Sequence, residues 1–297
     1  MALRIIKSSD PIKVERLNVC VYGQPGSGKT SMAFTADSPL LLDFDNGAHR
    51  AANRKDTVRV TTWADVADLS ADDLGDYKSV IVDTAGRALD ILTADIIRRN
   101  PKAGRGGALT LQGYGTLKAE FVAWLKALNG MGKDVILIAH MDEQRNGDDI
   151  IERLDVQGGS KGEIYKSADA MGRILIRDGR RVLNFSPTDA AFGKNPGRLD
   201  PIPVPHPDAD PTFLAGVIAT IKTRLNELTE EQMEAQGVID TWRNTIAELE
   251  TADDFNAQLT AIKEAPVAAK AVFAKAATDK DLIFDKKAGR YSAVATA

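Results

Sequence analysis

The 297-residue sequence contains one cysteine, few aromatic residues and no long apolar run. The single cysteine, Cys20, cannot form an internal disulfide or a multi-cysteine metal site, which fits a reducing compartment. No segment approaches the roughly 18 uninterrupted apolar residues that a membrane helix requires. The first residues are too few and too polar for a signal peptide. We therefore expect a cytoplasmic protein that does not enter a membrane.

The sequence also has no large excess of either sign of charge, since it contains 38 basic and 42 acidic residues and the formal net charge is −4. This balance excludes a wholesale basic nucleic-acid binder, so any such binding would depend on local patches. Apolar residues make up 43% of the chain and aromatic residues only 6%. The sequence is therefore long and apolar enough for a sizeable core, which must be mostly aliphatic.

Short apolar runs alternate with helix-compatible stretches up to about residue 190, which is typical of a parallel sheet covered by helices. The predicted strands are residues 17–22, 40–44, 57–61, 80–82 and 135–139. A further pair, residues 171–176 and 181–185, flanks Asp178-Gly179, which is a hairpin signal. The pattern predicts an α/β fold with a mostly parallel sheet flanked by helices and an antiparallel hairpin extension.

The last third of the chain has a different composition. Five prolines within residues 199–211 predict a stiff, extended crossing, and the next segment, 213–228, predicts a helix. Residues Thr229 to Gln232 resemble a capping box, which predicts that a new helix begins there. We expect a core domain over residues 1–228 and a small helical module over residues 229–297. The module ends in a basic, partly aromatic tail, residues 284–291.

Residues 23–30 match the phosphate-loop pattern G-x-x-x-x-G-K-[ST] in full, after an apolar strand and before a helix-compatible stretch. Glycines allow successive backbone amides to surround a phosphate, and the helix after the loop adds its positive end. Lys29 would reach the β- and γ-phosphates, and the Thr30 hydroxyl would be a ligand of Mg²⁺. The predicted nucleotide-binding residues are Gly23, Gln24, Pro25, Gly26, Ser27, Gly28, Lys29, Thr30 and Ser31.

A second phosphate-site element should be an apolar strand that ends in an aspartate. The run Ser-Val-Ile-Val-Asp at residues 79–83 has this form, so Asp83 is the second predicted Mg²⁺-binding residue beside Thr30. By itself an apolar strand that ends in Asp is a weak signal, because many buried strands end this way at a turn. The phosphate loop makes the functional interpretation the stronger one.

The residues at the ends of the other strands narrow the class of nucleotide-dependent protein. No N-K-x-D motif for guanine comes after the strand at 135–139, and no arginine-rich lid of a small-molecule kinase is evident. The strand after the phosphate loop ends in Asp43 and Asp45. A carboxylate at that position can orient and deprotonate an attacking water. We choose Asp45 for this role, with Asp43 second, and expect an ATPase.

This order of motifs resembles the RecA-type ATPase core, most closely the phage-encoded RecA-like nucleotide-binding proteins of single-strand annealing and recombination. The resemblance covers about residues 15–200, including the segment 158–169, which is similar to the end of a mobile DNA-binding loop in RecA proteins. It implies that His140 stands at the polar sensor position, where many RecA recombinases have glutamine. It also implies basic groups supplied by a neighbouring subunit, for which Lys194 and Arg198 are the candidates.

Two basic stretches are candidates for nucleic-acid contact. Residues 98–107 carry Arg98, Arg99, Lys102 and Arg105 without an acid and end in glycines. The long loop expected over residues 141–166 carries Lys161, Lys166 and the aromatic Tyr165, although its net charge is negative. Basic grooves with stacking rings are typical of single-strand binding. The ordinary alternative is that both stretches are solvated surface loops.

The sequence therefore leads to an ATP- and Mg²⁺-dependent homo-oligomer, a ring or filament, that binds single-stranded DNA and promotes annealing or strand exchange. Its carboxyl-terminal module would recruit a single-strand-binding protein or a replisome partner, or add DNA contacts. Two alternatives stay open. In one, ATP only switches the assembly of an interaction protein, and in the other the chain is a helicase or packaging motor.

Overall fold

The computed structural model describes residues 6–7, 10–146, 149–156 and 160–293, without the side chains of 146, 149, 160 and 161. The chain divides into two compact units. The larger unit is Val14–Leu225, and the smaller one combines Met1–Lys13 with Asn226–Ala297.

The larger unit contains an α/β arrangement in which strands and helices alternate along the chain. Its strands are β1 (Asn18–Gly23), β2 (Pro39–Asp43), β3 (Thr57–Arg59), β4 (Ser79–Asp83), β5 (Gly104–Arg105), β6 (Ala108–Leu109), β7 (Asp134–Asn146), β8 (Asp149–Leu154), β9 (Ala170–Arg177), β10 (Arg180–Asn184) and β11 (Ile202–Pro203). Its helices are α1 (Lys29–Ala33), α2 (Ala85–Arg99), α3 (Leu111–Gly130), α4 (Ser160–Ser167) and the first part of α5 (Phe213–Ala247).

The main sheet has the strand order β11-β10-β9-β1-β7-β4-β2-β3, with β8 paired to β7. All pairings from β9 across to β3 are parallel, whereas β10, β11 and β8 are antiparallel to their neighbours. The carboxyl ends of β1, β7, β4 and β2 therefore meet at one edge, where ligands bind in open α/β sheets. The predicted mostly parallel α/β fold with an antiparallel hairpin extension and carboxyl-terminal helices is confirmed.

Both faces of the sheet are buried, which explains why the parallel strands are apolar without alternation. In β1, Cys20 and Tyr22 pack in the cluster that includes α2 and α3. Val19 and Val21 pack on the other face, against α1 and the first turns of α5. Each face thus has its own hydrophobic core, and the strand ends are held between two helical layers.

The structure contradicts the loop predicted after residue 140 and adds a short strand to the proline-rich segment. The strand predicted at 135–139 continues to the end of β7, and β8 pairs with its extension, so residues 141–146 and 149–154 form a ribbon instead of part of a long loop. Polar side chains on this ribbon concealed its strand character, but paired strands satisfy their backbone groups whatever the side chains are. Within the proline-rich segment, β11 pairs with β10, so part of it belongs to the sheet edge.

The capping box predicted at Thr229 is also wrong, because α5 continues without interruption from Phe213 to Ala247. No proline and no glycine lies between residues 217 and 236, so nothing in the sequence stops the helix there. The predicted division at residue 228 therefore falls inside a helix. The proposal of an ATPase core and a helical module stays a prediction.

The smaller unit contains the second part of α5, α6 (Ala252–Ala257), α7 (Leu259–Glu264), α8 (Val267–Asp279) and the hairpin β12 (Leu282–Asp285) and β13 (Arg290–Ala293). Its apolar core centres on Phe255 and Phe273, whose ring centroids are 5.0 Å apart. The predicted basic tail is this hairpin, in which Phe284 and Tyr291 pack on each other.

Candidate nucleotide-binding site

The phosphate loop connects β1 to α1. Gly26 and Gly28 have φ angles of 76° and 84°, left-handed values that glycine adopts without strain. The amides of these two glycines donate to no backbone carbonyl within the described part of the chain. The Ser27 hydroxyl is buried and likewise lacks a partner among the described residues. A loop with such free donors is suited to surround a phosphate.

Lys29 lies at the start of α1 and is buried although it carries a charge. Its ammonium group donates to the carbonyl oxygens of Gly23 at 3.0 Å and Gln24 at 2.8 Å. Burial lowers the pKa of Lys29 to about 8, while the carboxylates of Asp83 and Asp45 act in the opposite direction. The phosphate loop thus holds a cation at its centre with two backbone acceptors.

Thr30 and Asp83 meet across the gap between α1 and β4. The Thr30 hydroxyl donates to Asp83 Oδ2 at 2.6 Å. Burial raises the pKa of Asp83 to about 6, partly offset by this hydrogen bond. Hydroxyl and carboxylate oxygens are suitable ligands for Mg²⁺, which usually keeps several waters and binds through one or two carboxylates and the substrate phosphates. These two residues fit that role. Among the described residues, no cluster of three or more Asp, Glu, His or Cys side chains could hold a metal ion.

The two candidate carboxylates after β2 have different surroundings. Asp43 is buried and accepts hydrogen bonds from the amides of Gly47 and Ala48, both at 3.0 Å, so it shapes the turn. Asp45 lies in the wall of the pocket beside the phosphate loop. Its carboxylate is 3.5 Å from Arg87 and 3.7 Å from Arg50. The geometry therefore brings Asp45, and not Asp43, to the phosphate loop.

His140 reaches the same pocket because β7 is the neighbour of β1, where Gly23 and His140 are paired in register. Its Nε2 atom is 3.9 Å from Asp45 Oδ2. Burial, with help from Lys29, lowers the pKa of His140. The imidazole is therefore neutral near pH 7 and can offer a hydrogen bond instead of a charge.

The resulting pocket has a volume of about 200 Å³. It is lined by Gly26, Gly28, Lys29, Thr30, Ser31, Asp45, Gly47, Arg50, Ala51, Asp83 and His140. Of the predicted nucleotide-binding residues, Gly23 and Gln24 hold Lys29, and Pro25 and Ser27 lie on the loop between them. Sequence motifs separated by more than 100 residues thus meet at one edge of the sheet.

Three arginines and one ribbon residue near the phosphate loop were not among the predicted site residues. Arg50 and Arg87 flank Asp45, and the Arg181 guanidinium packs against the α-carbon of Gly28. Gln24 donates to Glu143 on β7 at 3.1 Å. No local motif marks these residues. Only Arg87 could have been predicted from the sequence. It comes four residues after Asp83, so one turn of α2 brings it back to the end of β4.

The predicted residues of a neighbouring subunit's site lie elsewhere in the unit. The Lys194 ammonium donates to the Ala168 carbonyl at 2.6 Å and lies 4.7 Å from the centre of the Tyr165 ring. Arg198 is exposed and has a φ angle of 50°. Lys194 is therefore engaged within its own chain, and Arg198 is accessible. Their role toward another subunit stays a prediction.

The residues predicted to contact DNA fall into two groups. Arg98 and Arg99 end α2 and pair with Asp95, and Arg99 also pairs with Glu120 at 2.6 Å. The other basic residues of this stretch are exposed: Lys102 lies in a one-turn helix and Arg105 on β5. On α4, Lys166 pairs with Glu163 at 3.3 Å, whereas the side chain of Lys161 lies outside the described residues. Carboxylates thus offset part of the predicted basic surface.

A phosphate loop after the central strand, a threonine–aspartate pair and polar strand ends together define a P-loop nucleoside triphosphatase core. The family model described as "AAA domain" matches residues 15–196. The chain therefore belongs to this family of AAA-type P-loop ATPases, which indicates nucleotide binding, typically with Mg²⁺, and ATPase activity. No curated protein matches the sequence. Among the described residues, no helix has the length and apolar character needed to cross a bilayer.

Proposed function

We propose that this AAA-family ATPase hydrolyses ATP in the pocket around Lys29 and binds single-stranded DNA in a nucleotide-dependent manner as an oligomer. The observation that carries the ATPase proposal is the convergence of Lys29, Thr30, Asp83, Asp45 and His140 at one sheet edge. Each residue type matches a task in phosphoryl transfer, for which positioning and charge stabilisation supply most of the catalysis.

Binding and orientation of ATP are the tasks of the phosphate loop. The free amides of Gly26 and Gly28 donate to phosphate oxygens, and Lys29 transfers its hydrogen bonds from backbone carbonyls to the β- and γ-phosphates. Thr30 and Asp83 would hold a Mg²⁺ ion between them. When bound, Mg²⁺ neutralises charge that develops on the phosphoryl oxygens.

The chemical step is the attack of water on the γ-phosphorus. Asp45 orients this water and accepts its proton, while the bond from the new oxygen to γ-phosphorus forms and the bond to the β,γ-bridging oxygen breaks. The neutral imidazole of His140 donates a hydrogen bond to a γ-phosphate oxygen, as its position beside Gly23 and Asp45 favours. The proton on Asp45 then passes to solvent, and ADP and phosphate leave.

Replacement of Lys29 tests the site. Lys29→Ala should abolish ATP turnover and weaken nucleotide binding, because it removes the cation that the phosphate loop holds at its centre. Lys126→Ala, an exposed lysine on α3, is the matched control and should behave as wild type. Fluorescent-nucleotide binding and phosphate release measure the two effects. Full turnover by Lys29→Ala would exclude this pocket as the ATPase site.

Single-strand binding is supported by the resemblance to phage-encoded RecA-like recombination proteins and by the acid-free, glycine-bearing stretch at 98–107. A fluorescent oligonucleotide titrated with and without ATP tests it. We expect tighter binding in one nucleotide state and a loss of affinity as salt rises. Absence of ATP-sensitive binding at low salt would contradict the proposal. Strand-annealing assays then test the recombination role.

The second candidate is an ATP-switched assembly protein without affinity for DNA. It is favoured by the ion pairs that offset Arg98 and Arg99. AAA domains often oligomerise, and the smaller unit would then recruit a protein partner, such as a single-strand-binding protein. Light scattering with ADP and a non-hydrolysable ATP analogue, with and without oligonucleotide, separates the two. DNA-stimulated turnover is expected of the single-strand-binding ATPase as well, whereas directional unwinding would indicate a motor.

A further inference from the structure

A second cavity lies beside the nucleotide pocket, along the edge strand β3 and the loop that joins β2 to β3. Its volume is about 480 Å³, more than twice that of the nucleotide pocket. Four basic or histidine side chains line it: His49, Arg54, Lys55 and Arg59. We name this cavity the β3 cleft.

Positive charge exceeds negative charge in the β3 cleft, since Arg54, Lys55 and Arg59 face two lining carboxylates. Arg54 and Lys55 have no carboxylate within ion-pair distance in the described part of the chain, and Arg59 donates to the side chain of Asn46 at 3.1 Å. The two lining carboxylates accept hydrogen bonds from neutral donors and keep their negative charge. Asp43 accepts the two backbone amides of its turn, and Asp56 accepts from the Tyr77 hydroxyl at 3.0 Å. The cleft therefore presents a net positive concave surface to an anion.

The loop that forms one wall of the β3 cleft also forms a wall of the nucleotide pocket. Asp45, Gly47 and Arg50 line the nucleotide pocket, whereas Asn46 and His49 line the cleft. Ser31, at the phosphate loop, accepts a hydrogen bond from the Ala52 amide at 3.3 Å at the end of this loop. The two cavities thus have no lining residue in common, but neighbouring residues of a single loop line both of them.

We propose that the β3 cleft binds the phosphodiester backbone of single-stranded DNA. The inference deepens the proposed function and rests on it. A cavity of this volume accepts one or two nucleotide units of a single strand, whereas a duplex cannot enter it. Its lining includes no Phe, Tyr or Trp ring, so most contacts go to phosphates and binding does not depend on base sequence. Unpaired Arg and Lys side chains are the groups that release counterions from such a backbone.

The test compares two triple variants with equal loss of charge. The cleft variant is Arg54→Gln, Lys55→Gln, Arg59→Gln. The control variant is Lys126→Gln, Arg177→Gln, Arg180→Gln, at exposed positions on α3 and the β9–β10 hairpin. Fluorescence anisotropy with an oligothymidylate and with a mixed-sequence strand measures affinity over a range of salt. Thermal melts and fluorescent ATP binding show that each variant is folded and has an intact nucleotide pocket.

At low salt the cleft variant should bind both strands more weakly by a factor of about ten or more. The slope of log affinity against log salt concentration should decrease by the equivalent of about two phosphate contacts. The control variant should lose much less, and both should bind ATP as wild type does. Equal losses in the two variants, or wild-type binding by the cleft variant, would overturn the inference. Loss of ATP binding together with DNA binding would also overturn it, because the cleft would then belong to the nucleotide pocket.

A second measurement needs no variant. Lys55 in the wild-type protein should be protected from amine acylation by the oligonucleotide but not by inorganic triphosphate, with Lys126 as the unprotected reference. Protection by triphosphate alone would assign the cleft to a free phosphate ligand and contradict the DNA assignment. If wild-type protein binds no single strand in any nucleotide state, the proposed function itself fails. If it binds equally well without the cleft cations, only the present inference fails.

Discussion

At the scale of single residues, two aspartates two positions apart acquire different tasks from their surroundings. Asp43 is buried and satisfied by two backbone amides, so it determines the conformation of the turn after β2. Asp45 is partly exposed and faces the phosphate loop. A buried carboxylate with fixed amide donors is a structural group, whereas one at the pocket wall is available to a reacting water.

These surroundings predict that an aspartate-to-asparagine substitution affects turnover at Asp45 and folding stability at Asp43. Asp45→Asn should retain ATP binding but lose turnover by about 10²–10⁴-fold, because the proton acceptor is removed. Asp43→Asn should lower the free energy of unfolding by about 1–3 kcal/mol, because its amide nitrogen faces a backbone donor. Phosphate-release assays and urea denaturation of both variants measure this. The reverse pattern would move the water-orienting role to Asp43.

The thiol of Cys20 yields a prediction about pH. Burial in β1 raises the pKa of Cys20 from 9.0 to about 12. Between these two values the folded state keeps a proton that the unfolded chain releases, so the stability contributed by this thiol falls as pH rises. Urea unfolding of wild type and Cys20→Ala over this range should show a steeper decline for wild type. Parallel declines would contradict the buried-thiol assignment.

At the scale of elements, the site depends on the register of neighbouring parallel strands. Pairing of Gly23 with His140, and of Asp43 with Asp83, aligns the ends of four strands at one level. Asp134 fixes the position at which β7 begins. It accepts a hydrogen bond from the Leu17 amide at 2.8 Å and forms an ion pair with Lys222 of α5 at 2.6 Å. This ion pair ties the start of two central strands to the helix that covers them.

Removal of Lys222 tests the importance of that ion pair. Lys222→Met should lower the free energy of unfolding by about 3–5 kcal/mol, because Asp134 would remain as a largely buried charge without its cation. The double variant with Asp134→Asn should recover part of the loss, since the amide carries no charge and its oxygen still accepts from Leu17. Chemical denaturation provides the measurement. Equal stability of the single variant and wild type would show that solvent screens the pair.

At the scale of the whole molecule, the residues of the nucleotide pocket and both hydrophobic clusters of the sheet belong to one compact unit, Val14–Leu225. The smaller unit has a separate apolar core around Phe255 and Phe273. Each unit thus has the buried surface that independent folding requires. Nucleotide binding is a property of the larger unit.

This division predicts the behaviour of a fragment. Residues 14–225 expressed alone should fold and bind ATP with the affinity of the full chain, because the fragment keeps the pocket and the two clusters that support it. Calorimetric titration with ATP and Mg²⁺, together with a cooperative thermal melt, checks the expectation. A fragment that unfolds or fails to bind would show that the first and last segments stabilise the ATPase unit.

Several features were predictable because they depend on local order along the chain. The phosphate loop, the apolar strands and the Asp178-Gly179 hairpin are each encoded by consecutive residues, since period, glycine placement and turn chemistry act over short distances. The same local order misled at Thr229, where a cap-like sequence lies within α5. It also misled in the ribbon after residue 140, because the pairing partner and not side-chain polarity makes a strand.

The sequence by itself determined that a triphosphate-binding loop comes after a buried strand and that acidic strand ends accompany it. Only the tertiary structure decided which of Asp43 and Asp45 faces the pocket, because one turn orients the two side chains differently. It also decided which arginines surround Asp45 and which basic residues are already paired. Such choices depend on contacts between segments far apart in the chain, and no local pattern encodes the distance between two side chains that only the fold brings together.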